Sequence, residues 1–140
     1  MEKQISGMIN NLQHIGIPVS DMAASVTFYN RLGFYQVMES SFDDDGESGL
    51  CIMLKNKDIL LELYQLPAKK IKEISERKDG HIDHITFDVD DIDIVFSAMN
   101  DARFQVIEKQ PVFLPFWANG CKYFNILGPD GERLEFNQIL

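Results

Sequence analysis

Two histidines and two glutamates in this chain stand in matching surroundings. His14 lies in "LQHIGIPVSDM" (Leu12–Met22), and His84 lies in "IDHITFDVDDI" (Ile82–Ile92). Glu62 lies in "LELYQL" (Leu61–Leu66), and Glu135 lies in "LEFNQI" (Leu134–Ile139). Each glutamate interrupts an apolar, strand-like run, where an unpaired carboxylate costs several kcal/mol to bury. Imidazole nitrogens and carboxylate oxygens together suit a borderline divalent metal. A bound cation would offset the cost of the buried carboxylates. One histidine in a strand is most often a hydrogen-bonded structural residue, and one mid-strand glutamate most often faces solvent. Two of each at equivalent places favour ligation.

The equivalence reflects an internal duplication. A shift of 70 residues (84 − 14) lays His14 on His84, Ile15 on Ile85, Val19 on Val89, Asp21 on Asp91 and Phe34 on Phe104. Three inserted residues then bring Glu62 onto Glu135, a shift of 73 (135 − 62). Two copies are too few for a solenoid and favour a pseudo-two-fold domain.

Each copy reads as β-α-β-β-β. Residues 12–19 alternate and are rich in β-branched types, as a strand requires. Asp21 and Asp91 supply helix N-caps. Met22, Val26 and Tyr29 follow helical spacing, as do Ile92, Val95, Phe96 and Met99. Gly33 reads as the C-terminal stop of the first helix. Three strands follow at about 34–42, 48–54 and 58–65 in the first copy, and at about 104–110, 120–127 and 132–138 in the second. "DDDG" and "GPDG" signal turns. In the connecting segment Pro67–Gly80, Lys69/Glu73 and Lys72/Glu76 sit four apart, which predicts a short, solvated helix. The expected organisation is one domain over 1–140: a first module at about 10–66, a linker at 67–80 and a second module at about 81–139. Alternation puts Leu60 and Tyr64 on the face of Glu62, and Arg133 and Asn137 on the face of Glu135. Packing of the modules about a two-fold axis would let the four candidate ligands converge.

Composition narrows the function classes. The 140 residues suffice for one domain with its own core. A net charge of −9 offers no basic surface to nucleic acid or anionic lipid. No apolar run approaches the roughly 18–20 residues of a membrane span, and the first residues lack a signal-peptide layout. Cys51 and Cys121, in no C-x-x-C pair, fit free thiols in a reducing cytoplasm. The aromatic stretch "PVFLPFWANG" (Pro111–Gly120) offers Phe113, Phe116 and Trp117 as a lid or apolar wall over a small-molecule substrate, or alternatively as a dimer contact or core plug. Lys122 and Arg133 are candidates for holding a substrate carboxylate or phosphate.

At "HIGIPVSDMAASVTFYNRLGF", "HIDHITFDVDDID" and "LGPDGERLEFNQ" the chain resembles the vicinal oxygen chelate superfamily. That superfamily includes glyoxalase I, methylmalonyl-CoA epimerase, fosfomycin-resistance proteins, extradiol dioxygenases and bleomycin-binding proteins. The resemblance spans about 10–139. It implies an α+β fold of two tandem βαβββ modules forming a cupped mixed sheet around one divalent metal per site, in one chain or across a homodimer. The order His14, Glu62, His84, Glu135 matches the ligand set of glyoxalase I. Fosfomycin-type transferases and dioxygenases use two histidines and one glutamate, which would leave Glu62 idle. Nickel, cobalt or zinc is the expected metal, and manganese and iron also suit the set.

The implied activity is a lyase or isomerase reaction on a 2-oxoaldehyde–thiol adduct through a metal-stabilised enediolate. The resemblance assigns the base role to Glu135, with Glu62 as the mirror candidate. Glutathione-dependent members carry an arginine where this chain has Pro18, and an asparagine where it has Leu66; both differences count against glutathione as the thiol. The competing expectations are an epimerase like that for methylmalonyl-CoA, or a non-enzymatic small-molecule binding or resistance protein.

Overall fold

The computed structural model describes residues 14–77, 84–115 and 118–140. The chain divides into two compact units between Lys72 and Glu73. In the first unit β1 (Ile15–Pro18) leads into α1 (Met22–Arg31), followed by β2 (Tyr35–Asp44), β3 (Glu47–Asn56) and β4 (Ile59–Gln65). Helix α2 (Ala68–Glu76) follows. In the second unit β5 (Ile85–Asp88) leads into α3 (Ile92–Asp101), then β6 (Gln105–Val106), β7 (Val112–Leu114), β8 (Cys121–Leu127) and β9 (Arg133–Ile139). Among the described residues no helix is long and apolar enough to cross a membrane.

The two sheets repeat one topology. Strand order is β1-β4-β3-β2 in the first and β5-β9-β8-β6 in the second, with β7 also paired to β8. In each, the first strand lies parallel to the last, and the others are antiparallel. Gly16 aligns with Glu62 and Thr86 with Glu135. The register therefore carries the same 70- and 73-residue shifts as the sequence.

Alternation sorts each sheet into two faces. One face packs under the unit's own helix. In the first unit Ile17, Ile52, Leu54, Leu61 and Leu63 are buried with Met22, Tyr29 and Phe34. In the second, Phe96 of α3 meets Phe124 edge-on, with ring centroids 5.2 Å apart, and Phe124 stacks on Phe136 at 5.3 Å. Leu134, Ile126 and Ile92 are fully buried there. The opposite face carries the glutamates.

Both ends of each long helix are built alike. The Asp21 carboxylate accepts from Ala24 N–H, and Asp91 accepts from Asp93 and Ile94 N–H. A second acceptor comes from the last strand of the same unit: Gln65 Oε1 takes Met22 N–H at 2.6 Å, and Gln138 Oε1 takes Ile92 N–H at 2.9 Å. These two glutamines occupy equivalent positions (138 − 65 = 73). They tie the strand that carries each glutamate to the start of the helix. At the C-terminal ends, Phe34 N–H reaches Tyr29 O and Gly33 N–H reaches Asn30 O, a Schellman closure. Phe104 N–H to Met99 O and Arg103 N–H to Asn100 O repeat it. Gly33 has φ +84°, as its expected role as helix stop requires, and Arg103 adopts φ +61° at the equivalent place.

Several expectations need correction. The first strand is Ile15–Pro18 rather than 12–19, with residues 12 and 13 outside the described set. The expected strand 104–110 is only Gln105–Val106, and a separate short strand, β7, follows Pro111. The cause is Glu108, whose carboxylate accepts from Asn125 N–H at 2.6 Å and from Asn125 Nδ2 at 2.7 Å. A side chain thus takes the ladder position that the next strand residue would have filled, and Pro111 has no N–H to resume it. The connecting helix is real but less solvated than its sequence suggests. Ile74 is buried, Lys69 turns to Glu47 at 3.3 Å rather than to Glu73, and Glu73 binds Arg77 instead. Lys70 reaches Asp44 at 2.8 Å, so the helix is pinned to the β2–β3 hairpin.

Candidate metal and catalytic site

Strand pairing brings the candidate residues together two by two. His14 directly precedes β1, and the parallel β1–β4 register places Glu62 beside it on the same face. Nε2 of His14 lies 2.8 Å from Oε2 of Glu62. In the second unit, Nε2 of His84 lies 3.1 Å from Oε2 of Glu135. The most enclosed of the four is Glu135, whose side chain is 13% exposed against 27% for Glu62. Among the described residues no group of three or more His, Cys, Asp or Glu side chains is gathered to hold a metal. Each unit by itself brings together two of the four candidate residues.

Those pairs fit half of a coordination shell. Donor atoms about 2.1 Å from a shared ion and roughly 90° apart are themselves about 3 Å apart. The observed 2.8 and 3.1 Å match that edge. Nε2 carries a proton when it hydrogen-bonds the carboxylate, and gives it up to hold a cation.

The two glutamates have different neighbours. Asn137 Nδ2 donates to Glu135 Oε1 at 3.0 Å. Glu62 has Tyr64 at the equivalent place, and the Cys51 thiol on β3 adds a hydrogen-bonding neighbour to its His14 contact. Burial, then the Glu62 charge and that hydrogen bond, push the Cys51 thiol above its usual range. Asn125, opposite Glu135 in the β8–β9 register, is 6% exposed. Cys51 and Asn125 were absent from the sequence-derived candidates. Cross-strand register decides both, and only the exact pairing of β3 with β4 and β8 with β9 reveals it. The paired glutamines Gln65 and Gln138 recur three residues after each glutamate, whereas Asn137 was legible only as a neighbour on the face of Glu135.

The remaining candidates separate by face. Arg133 stands two residues before Glu135, on its face. Lys122 stands opposite Phe113 and alternates with Asn125, which puts both Lys122 and Phe113 on the other face of the sheet. There Nζ of Lys122 lies 4.0 Å from Asp93 of α3, and Phe113 is more than half exposed. Phe116 and Trp117 lie outside the described residues. Pro18 ends β1 and Leu66 directly follows β4, both partly buried.

Comparison with known proteins agrees with this architecture. Residues 11–136 match the model of the Glyoxalase/Bleomycin resistance protein/Dioxygenase superfamily, and the chain belongs to that family. A curated relative, the uncharacterized protein YwbC of Bacillus subtilis (strain 168), is 29% identical over 133 residues, covering 94% of this chain and 99% of that one. The fold is shared with a glyoxalase family protein from Enterococcus faecalis, with TM-score 0.72, 23% identity, and coverage of 93% and 98% of the two chains. It is shared too with the trypanothione-dependent glyoxalase I of Leishmania major, with TM-score 0.65, 20% identity, and coverage of 91% and 86%.

Proposed function

We propose that the protein is a metal-dependent lyase or isomerase of the glyoxalase I type, acting in the cytoplasm on a 2-oxoaldehyde–thiol adduct. The observation that carries the reading is the repeated His–Glu pair, held at 2.8 Å in one module and 3.1 Å in the other by the same parallel-strand register. His14, Glu62, His84 and Glu135 would hold one divalent ion of the nickel, cobalt or zinc class. When bound, that ion supplies Lewis-acid polarisation of the substrate's adjacent oxygens.

The chain's own residues do the proton transfer. Glu135 takes the proton from the carbon that bears the thiol and returns it to the neighbouring carbon, converting a hemithioacetal into a 2-hydroxyacyl thioester. Its low exposure limits solvent access to that proton. Arg133, on the same face, would hold a substrate anion.

The test joins metal content to turnover. Untagged protein purified without chelator should carry close to one divalent ion per site by elemental mass spectrometry, and the Glu62→Ala/Glu135→Ala double variant should carry none. Metal-replete protein should convert the methylglyoxal adduct of glutathione, bacillithiol or a related thiol. No turnover with any of them overturns the reading.

Pro18 and Leu66, in place of the arginine and asparagine of glutathione-dependent members, favour a second reading as an acyl-CoA epimerase. It predicts solvent deuterium uptake at the α-carbon of methylmalonyl-CoA.

A further inference from the structure

The Glu135 carboxylate has a side-chain support on its own strand. Asn137 is two residues beyond Glu135 on the same face, and its amide nitrogen donates to Glu135 Oε1 at 3.0 Å. The other carboxylate oxygen, Oε2, faces His84 Nε2. Both oxygens are thereby committed, and rotation of the carboxylate breaks one contact or the other. The orientation of the amide is set by chemistry: an ionised carboxylate only accepts, so Asn137 must present its NH2 group. Its carbonyl oxygen is buried and has no hydrogen-bond partner among the described residues. The second contact of the amide nitrogen, Cys121 Sγ at 3.7 Å, is weak. The side chain therefore leaves Oδ1 unbonded while serving Glu135. In the first module the equivalent residue is Tyr64, whose side chain carries no amide.

We propose that Asn137 is a positioning residue that fixes the Glu135 carboxylate for metal binding. The inference rests on the metal reading above. Hydrogen bonds to the ligands of a metal site hold the donor atoms in place, and their loss typically costs 10–100-fold in metal affinity.

The experiment compares cobalt(II) affinity, from the visible d–d absorption in titrations against a competing chelator, across four proteins. Asn137→Leu keeps the branched shape and removes the donor, and Asn137→Ala removes it without added bulk should the leucine variant fail to fold. Asn137→Gln keeps an amide. The expected result is a loss of about 10–100-fold in the leucine or alanine variant and recovery of most of that loss in the glutamine variant. Leucine and alanine variants that bind cobalt as tightly as the wild type overturn the proposal, as does a glutamine variant that recovers none of the loss. A wild type that takes up no cobalt at all overturns the metal reading and this proposal together, so the two failures are told apart.

Discussion

The helix stop that the two modules share is solved by glycine in one and by arginine in the other, and exchanging the solutions should move stability in opposite directions. At Gly33 the backbone has φ +84°, and an added Cβ would lie 3.3 Å from Asn56 Nδ2. That amide donates to Leu32 O, the C-cap carbonyl after α1, at 3.2 Å. Gly33→Ala therefore incurs about 1–2 kcal/mol for a left-handed non-glycine residue. It also strains a hydrogen bond worth about 1 kcal/mol. The reduced freedom of the unfolded chain returns about 0.4–1 kcal/mol. The net loss is about 1–2 kcal/mol. Arg103 has φ +61° and is exposed, so Arg103→Gly relieves about 1–2 kcal/mol of backbone strain. It gives back about 0.4–1 kcal/mol in unfolded-state entropy, a net gain of about 0.5–1 kcal/mol. At about 3–4 °C per kcal/mol for a chain of this length, calorimetry should show Gly33→Ala lowering Tm by about 3–8 °C and Arg103→Gly raising it by about 2–4 °C. A stabilised Gly33→Ala or a destabilised Arg103→Gly would show that the repeated Schellman closure does not govern these positions.

Other expectations follow from the same geometry. Gln65→Leu and Gln138→Leu each leave a helix N–H without its acceptor and should each lower stability by about 1–3 kcal/mol in urea titrations; a change below about 0.5 kcal/mol would mean water replaces the glutamine. Saturating a metal site at 100 times its Kd should stabilise the protein by about 2.7 kcal/mol, seen as a higher Tm that a chelator removes; an unchanged Tm argues against a folded-state site. Arg133→Ala should reduce kcat/KM at least tenfold while Lys122→Ala leaves it within threefold, because only Arg133 shares the face of Glu135. Cys51, its thiol pushed up by burial and by Glu62, carries less thiolate at pH 8 than an ordinary cysteine. Its reaction with a disulfide reagent should be several-fold slower than that of free cysteine, and Glu62→Gln should speed it.

Much of this molecule is written in its local pattern. The duplication, the N-cap aspartates, Gly33 and the turns at "DDDG" and "GPDG" depend on short-range chemistry, and the structure follows them. Asp45 and Gly46 both adopt positive φ in the two-residue turn between β2 and β3. The faces around Glu62 and Glu135 were legible as well, because alternation needs only the identity of one buried residue. What the chain alone did not decide was which strands become neighbours and in what register. The Cys51 thiol on Glu62, Asn125 opposite Glu135 and Lys122 turned toward Asp93 are all cross-strand or strand-to-helix outcomes. So is the broken strand after Val106, where the Glu108 side chain takes the Asn125 N–H from the backbone ladder. Those contacts join residues 10 to 30 positions apart in sequence. Their energies depend on the pairing of whole strands rather than on any local run of residues. The sequence thus determined two modules of one repeated pattern, with one candidate histidine and one candidate glutamate in each. Tertiary structure alone decided how each carboxylate is held, because a hydrogen bond is set by the distance and direction that packing leaves between two groups.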